Sequence, residues 1–398
     1  MSDDIRHAGS ADSGGGNSAE ARVRSVHTNS FPPILAQLRS SLMVTTYQAG
    51  KLVMLRNDNG VLNTHFRIFN KPMGLAVSEG RLAIGTATSI QEFRNVPAVA
   101  PRISPPGTHD AAWLPRRENV TGDVQIHEMA WVKRSGQSAS ASPELWFVNT
   151  AFSCLATRSD EYSFEPRWRP KFVSHLAPED RCHLNGMAVV DGRVKYVTAL
   201  GVTNTAGGWR ENKRDGGLLI DVEQDEIVVR GLSMPHSPRW HAGRLWILNS
   251  GAGGFGTIDL QSGRYDEIVR LSGFTRGLAF AGPLAFIGLS QIRESAVFSG
   301  IPLVERLEQA ERTCGVWVVN IHTGQTLAFV KFEDAVQEIF AVELLAGMTF
   351  PDLVQDELQW IASTYVLPDD ALAHVPAQLR GGNASAEQGL PEPGHDPR

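Results

Sequence analysis

The chain has little with which to hold nucleic acid, build a disulfide scaffold or cross a bilayer. Its 37 Lys and Arg are outnumbered by 43 Asp and Glu, the net charge is −6, and no dense basic run occurs. That removes the electrostatic footprint of a nucleic-acid binder. Three cysteines, Cys154, Cys182 and Cys314, are odd in number and widely spaced. They fit neither a disulfide framework nor zinc spacing, and read as reduced thiols of a cytoplasmic protein. No stretch approaches the roughly 18 apolar residues that span a bilayer, and Met1 to Ala21 lacks the apolar segment of a secretory signal. A membrane partner is therefore not expected. CxxC, HExxH, GxSxG and phosphate-cradling glycine loops are all missing. Gly251-Ala252-Gly253-Gly254 joins two strand-like runs with no helix after it, which argues against a dinucleotide site.

What is present is a recurring phrase: an apolar strand, a Gly-centred turn, then a second apolar strand ending in small polar residues. It reads Met73-Gly74-Leu75-Ala76-Val77 with Gly80-Arg81-Leu82-Ala83-Ile84-Gly85-Thr86. It returns at Asn185-Gly186-Met187-Ala188-Val189 with Gly192-Arg193, and at His236-Ser237-Pro238-Arg239-Trp240 with Gly243-Arg244-Leu245-Trp246-Ile247-Leu248-Asn249. Looser copies open at His127, Arg276 and Gln337. Repeats of about 40–60 residues built of short strands mark a β-propeller. Between these inner pairs lie outer hairpins, such as Lys51–Arg56 turning at Asn59-Gly60 and Gly315–Asn320 turning at Thr323-Gly324. The expectation is an all-β, six-bladed propeller with four-stranded blades over residues 31–368. Strands near 42–69 and 337–364 would close the ring between them. A seventh blade follows if Phe31–Leu38 is a strand. Residues 1–30 and 369–398 read as disordered tails.

In such a blade the turns between strands one–two and three–four share one face, and the remaining connections share the other. The first set is minimal, as in Asp191-Gly192 and Ser262-Gly263. The long segments Arg94–Val124, Phe164–His183, Gly201–Asp215 and Gln291–Thr313 are expected together on the second face. There Arg167, Arg169, Arg181, Arg210, Arg276 and Arg293, with His236, are candidate ligand-binding residues, because guanidinium groups pair with carboxylates and phosphates. Loop carboxylates such as Glu165, Glu179, Asp180 and Glu294 are the competing partners.

The inner strands open on the axis with His127-Glu128, Asn185, His236 and Arg276. His127 and Glu128 form a candidate acid/base pair. Glu128, Asn185, His236 and Asn249 are candidate ligands for a divalent metal, with Ca²⁺, Mg²⁺ or Mn²⁺ favoured by oxygens and Zn²⁺ by imidazoles. A solvated channel lined by capping groups is the simpler alternative. His183, next to Cys182, is expected to make a loop contact.

The runs Leu145–Thr150, Phe152–Leu155, Glu179–Gly186, Gly208–Asn212, Met234–Trp240 and Cys314–Val319 resemble a bacterial family known only as a domain of unknown function, sometimes joined to tetratricopeptide repeats. The likeness spans roughly residues 31–352 and implies a propeller with no established activity. The family pattern implies Asp where this chain has Glu128 and Ala341. A more distant likeness is to gluconolactonase and regucalcin-type six-bladed propellers, which implies a metal ligand at Asn185 and an Asp where this chain has His236. The expected function is binding of a small anionic or polar ligand, or a peptide, in the axial funnel. The rivals are a metal-dependent lactonase or esterase and a protein-interaction platform.

Overall fold

The computed structural model describes residues 5–8, 23–133, 142–292, 298–333 and 335–376. Six antiparallel sheets, each with a core of four strands, surround one axis as the blades of a six-bladed β-propeller. In the first blade, Leu75–Ser78 lies innermost, followed outward by Arg81–Gly85, Ser89–Asn95 and Ala111–Val120. The second blade begins with Ile126–Val132, the third with Gly186–Val190, the fourth with Pro235–His241 and the fifth with Phe274–Ala281. These are the predicted openings.

The sixth blade closes the ring. Ala341–Ala346 is its innermost strand and pairs antiparallel with Ser40–Thr45, beyond which lie Lys51–Asp58 and Val61–Ile68. Only one C-terminal strand therefore joins this blade, not the two expected. The next, Pro351–Leu353, crosses to the neighbouring blade and pairs parallel with Ala111–Trp113. Closure pairs the C-terminal strand with the N-terminal ones and joins the ends of the ring.

Two expectations about the N-terminal region change. Phe31–Leu38 is a helix, so there is no seventh blade; Pro32 and Pro33 occupy its first turn, where their missing N–H costs nothing, and Phe31 and Leu35 are buried one turn apart. Arg24–Thr28 is a strand on the outer edge of the fifth blade, paired with Thr326–Glu333, and Ile5–Ala8 pairs outside it. Both lie inside the expected disordered tail. At the other end, Asp369–Ala373 is a short helix, and residues 377–398 lie outside the described residues.

The core lies between blades. Met43, Leu52 and Met54 of the sixth blade pack with Leu75, Leu82, Phe93 and Trp113 of the first, all essentially unexposed. Close approach at the axis requires glycine. Gly277 has φ +81°, and a Cβ there would stand 2.7 Å from the backbone nitrogen of Val342 in the next blade.

The long segments do not all share one face. Phe164–His183, Gly201–Asp215 and Gln291–Thr313 contain fourth-to-first or second-to-third connections and sit on what we call the upper face. Most of Arg94–Val124 instead joins the third strand of the first blade to its fourth, so this excursion lies on the lower face. A Gly-rich or charged loop carries no local mark of which strand pair it connects.

Candidate functional site

Four of the six inner strands are entered through a residue in the left-handed region. Lys71, Gln125, His183 and Met234 have φ of 51°, 51°, 49° and 45°, and each stands two residues before the opening position. This kink turns the Gln125 carbonyl onto Nδ1 of His127 (2.9 Å) and the Met234 carbonyl onto Nδ1 of His236 (2.9 Å). A carbonyl only accepts, so both imidazoles carry their proton on Nδ1 and keep a lone pair on Nε2. In the third blade the opening residue is Asn185, and the histidine occupies the kink itself. His183 makes the expected loop contacts, with Asp180 and Trp209, and its ring also meets His127.

Asp180 holds His183 there. Its carboxylate oxygens lie 2.9 and 3.0 Å from His183 Nδ1, and Oδ2 also accepts from Trp209 Nε1 at 2.9 Å. The upper loops Phe164–His183 and Gly201–Asp215 are thus joined through one buried carboxylate.

The result is a continuous stack across the mouth. The Arg210 guanidinium lies 4.6 Å from the Trp209 ring centre, Trp209 lies 4.4 Å from His183, and His183 meets His127 edge to face at 4.9 Å. His127 contacts Phe340 at 5.0 Å, and the Arg276 guanidinium sits 3.5 Å over that ring. His236 lies parallel to His127 at 6.4 Å. Among the described residues no hydrogen bond engages the Nε2 atom of any of these histidines, and none engages the Arg276 guanidinium. Burial lowers Arg276 to about 10, while Glu338, Tyr47 and Glu128 favour its charge. Burial first, then the Arg276 charge and His183, push His127 and His236 well below the ordinary imidazole value, so both are neutral.

The remaining candidates are spent elsewhere. Glu128 does not pair with His127; it binds Arg239 at 2.6 Å, deeper in the channel. Asn185 donates to the Pro235 carbonyl of the next blade and accepts from Thr198, so neither amide end is open for a metal. Asn249 accepts from the Ser233 backbone. The proposed metal set of Glu128, Asn185, His236 and Asn249 is therefore not assembled. Among the described residues no group of three or more His, Cys, Asp or Glu could hold a metal ion. Arg276 beside the imidazoles also opposes a second cation.

Of the arginines, Arg167 lies on the outermost strand of the second blade and pairs with Glu144. Arg169 donates to the Val173 carbonyl within its own loop. Arg181 is buried and binds Glu179, Ser174, Asn204 and His175, bracing two loops. Arg210 stands at the rim, 3.6 Å from Asp180. Arg293 lies outside the described residues. Arg276 is the one that the structure places among the axial histidines.

Much of the polar ring is stitching between blades. Thr45 donates to Met73 O, Thr150 to Leu184 O and Ser290 to Ile339 O, each across to the following blade. Below the mouth, Glu343 approaches Arg239 at 4.0 Å and lines a cavity of about 220 Å³ with Trp131 and Trp240. Burial, reinforced by Glu128 and opposed by Arg239, pushes Glu343 up to about 7. A larger cavity of about 800 Å³ lies off the axis on the lower face, against Arg56, His65, His109 and Phe350.

Sequence reasoning missed His183, Asp180, Trp209 and Phe340. The signal available for the first two was the spacing Asp180-x-x-His183, two residues ahead of an inner-strand opening.

The fold and this mouth define a six-bladed β-propeller with a histidine- and arginine-lined axial opening. The chain belongs to the family Domain of unknown function (DUF4915), whose model matches residues 29–354. A comparison with curated proteins finds no match. Among solved structures it is similar to a chain of a nidogen/laminin complex, with 9% identity, TM-score 0.49, and 77% of this chain and 99% of that one covered. It is likewise similar to a protein of unknown function from Bacteroides caccae, with 8% identity, TM-score 0.47, and 77% and 98% covered. Among the described residues no helix is long and apolar enough to cross a membrane.

Proposed function

We propose that the axial mouth binds a small hydroxylated carboxylate. The observation that carries this reading is Arg276: a half-buried guanidinium stacked on Phe340, with no hydrogen-bond acceptor among the described residues. A desolvated guanidinium without an acceptor favours an anion, and a carboxylate matches its paired N–H geometry. The Nε2 atoms of His127 and His236, both within reach of the Arg276 charge, and of His183 beside His127 accept from hydroxyl groups, which a bare inorganic anion does not offer. The metal-dependent hydrolase reading has no assembled ligand set to support it.

Calorimetric titration with D-gluconate and D-glucuronate, against D-glucose and glycerol, tests the proposal. The acids bind and the neutral compounds do not. Arg276→Gln weakens the acids at least tenfold, about 1.4 kcal/mol. Equal binding of acids by the wild type and Arg276→Gln, or no binding at millimolar concentration, overturns it.

A further inference from the structure

We propose that the Asp180–His183 pair is a general base and that the mouth hydrolyses carboxylic esters, releasing the carboxylate that Arg276 then holds. This rests on the reading of Arg276 as a carboxylate anchor. The pair is built rather than incidental. Two loops converge on it: Trp209 Nε1 fixes the Asp180 carboxylate, and the ring of Trp209 lies 4.4 Å from the imidazole. Asp180 binds Nδ1 of His183, so the proton sits there and Nε2 is left as a base. A carboxylate-oriented imidazole with an open second nitrogen is the arrangement general-base catalysis needs.

The step balances with water as the only co-reactant. His183 Nε2 takes a proton from water as the water oxygen bonds to the acyl carbon. The carbonyl electron pair moves to oxygen, and the oxyanion faces the Arg276 guanidinium. The bond to the alcohol oxygen breaks, and the leaving alkoxide takes the proton back from His183. The products are an alcohol and a carboxylic acid, whose anion is the ligand proposed above. His183 is the catalytic residue, and Asp180 is a positioning residue.

Hydrolysis of p-nitrophenyl acetate and of ethyl lactate by the full chain tests this, with D-gluconate as inhibitor. The wild type turns over both esters. His183→Gln loses at least a hundredfold in kcat/KM. Asp180→Asn loses at least tenfold in kcat with KM within twofold, and it reads the same role should His183→Gln fail to fold. Asp180→Asn keeps wild-type affinity for D-gluconate, because Asp180 touches His183 and Trp209 and not the ligand. Hydrolysis absent from the wild type, or unchanged in both variants, overturns the proposal while leaving anion binding intact. Hydrolysis that D-gluconate does not inhibit removes the carboxylate anchor and leaves the base standing.

Discussion

The imidazole of His183 meets that of His127 edge to face, ring centres 4.9 Å apart and planes at 86°. The two residues reach this contact from different positions of the repeat: His127 opens its inner strand, whereas His183 occupies the kink before one. The mouth is thus asymmetric. One blade supplies an aspartate-held histidine, and its neighbours supply histidines held by backbone carbonyls.

Asn185 is a structural residue. Its amide spans two blades through Pro235 O at 3.0 Å and Thr198 Oγ1 at 2.6 Å. Asn185→Ala leaves a buried carbonyl and a buried hydroxyl without these partners, at a cost of about 2–3 kcal/mol. Urea denaturation reads it as a lower midpoint with an unchanged slope. A midpoint equal to that of the wild type contradicts the interblade role.

Glu343 makes stability depend on pH. Its folded value, about 7, lies above that of an unfolded carboxylate, near 4.5. The native state therefore keeps a proton that the unfolded chain has lost. The stabilisation is complete below about pH 4.5 and is lost as pH rises through 7, on the order of 3 kcal/mol. Glu343→Gln keeps a neutral side chain at every pH. Relative to the wild type it gains thermal stability at pH 8 and not at pH 4.5. A pH-independent difference contradicts this assignment.

His127 and His236 act with the opposite sign. Both are neutral in the folded chain and held well below the ordinary imidazole value of 6.5. The unfolded chain gains protons there as pH falls below that value, so stability declines on acidification. The double substitution of both histidines by phenylalanine flattens this limb of a melting-temperature profile. An unchanged acid limb in a folded double variant contradicts their neutrality.

The thiols are inert in the native chain. Cys154 and Cys182 are buried, and desolvation pushes each up to about 12; Cys314 is buried and raised as well. A thiol is nucleophilic only as its thiolate. Iodoacetamide at pH 8 modifies fewer than one cysteine per chain until denaturant is added. Rapid native labelling of any of the three contradicts their burial.

The blades were legible because a strand announces itself locally, by alternation and by Gly-centred turns such as Asp191-Gly192. The openings at His127, Asn185, His236 and Arg276 followed from the repeat. Several things did not follow. Phe31–Leu38 is apolar enough for a strand, but Pro32 and Pro33 suit a helix's first turn and burial of Phe31 and Leu35 one turn apart fixes it as a helix. Glu128 stands beside His127 in sequence, yet adjacent strand residues face opposite ways and its charge partner, Arg239, is two blades distant. Arg181 reads as a ligand residue, but its donors are spent on Glu179, Ser174 and Asn204, contacts set by loop packing. His183 was hidden for the opposite reason. Its left-handed backbone, which aims it at the axis, leaves no trace in composition or periodicity.

A crystal structure of the chain soaked with D-glucuronate tests the central claim most directly. The account predicts the carboxylate within hydrogen-bond distance of the Arg276 guanidinium, with sugar hydroxyls on Nε2 of His127, His183 or His236. A ligand bound instead in the lower-face cavity against Arg56 and His65, with the axial mouth empty, contradicts it.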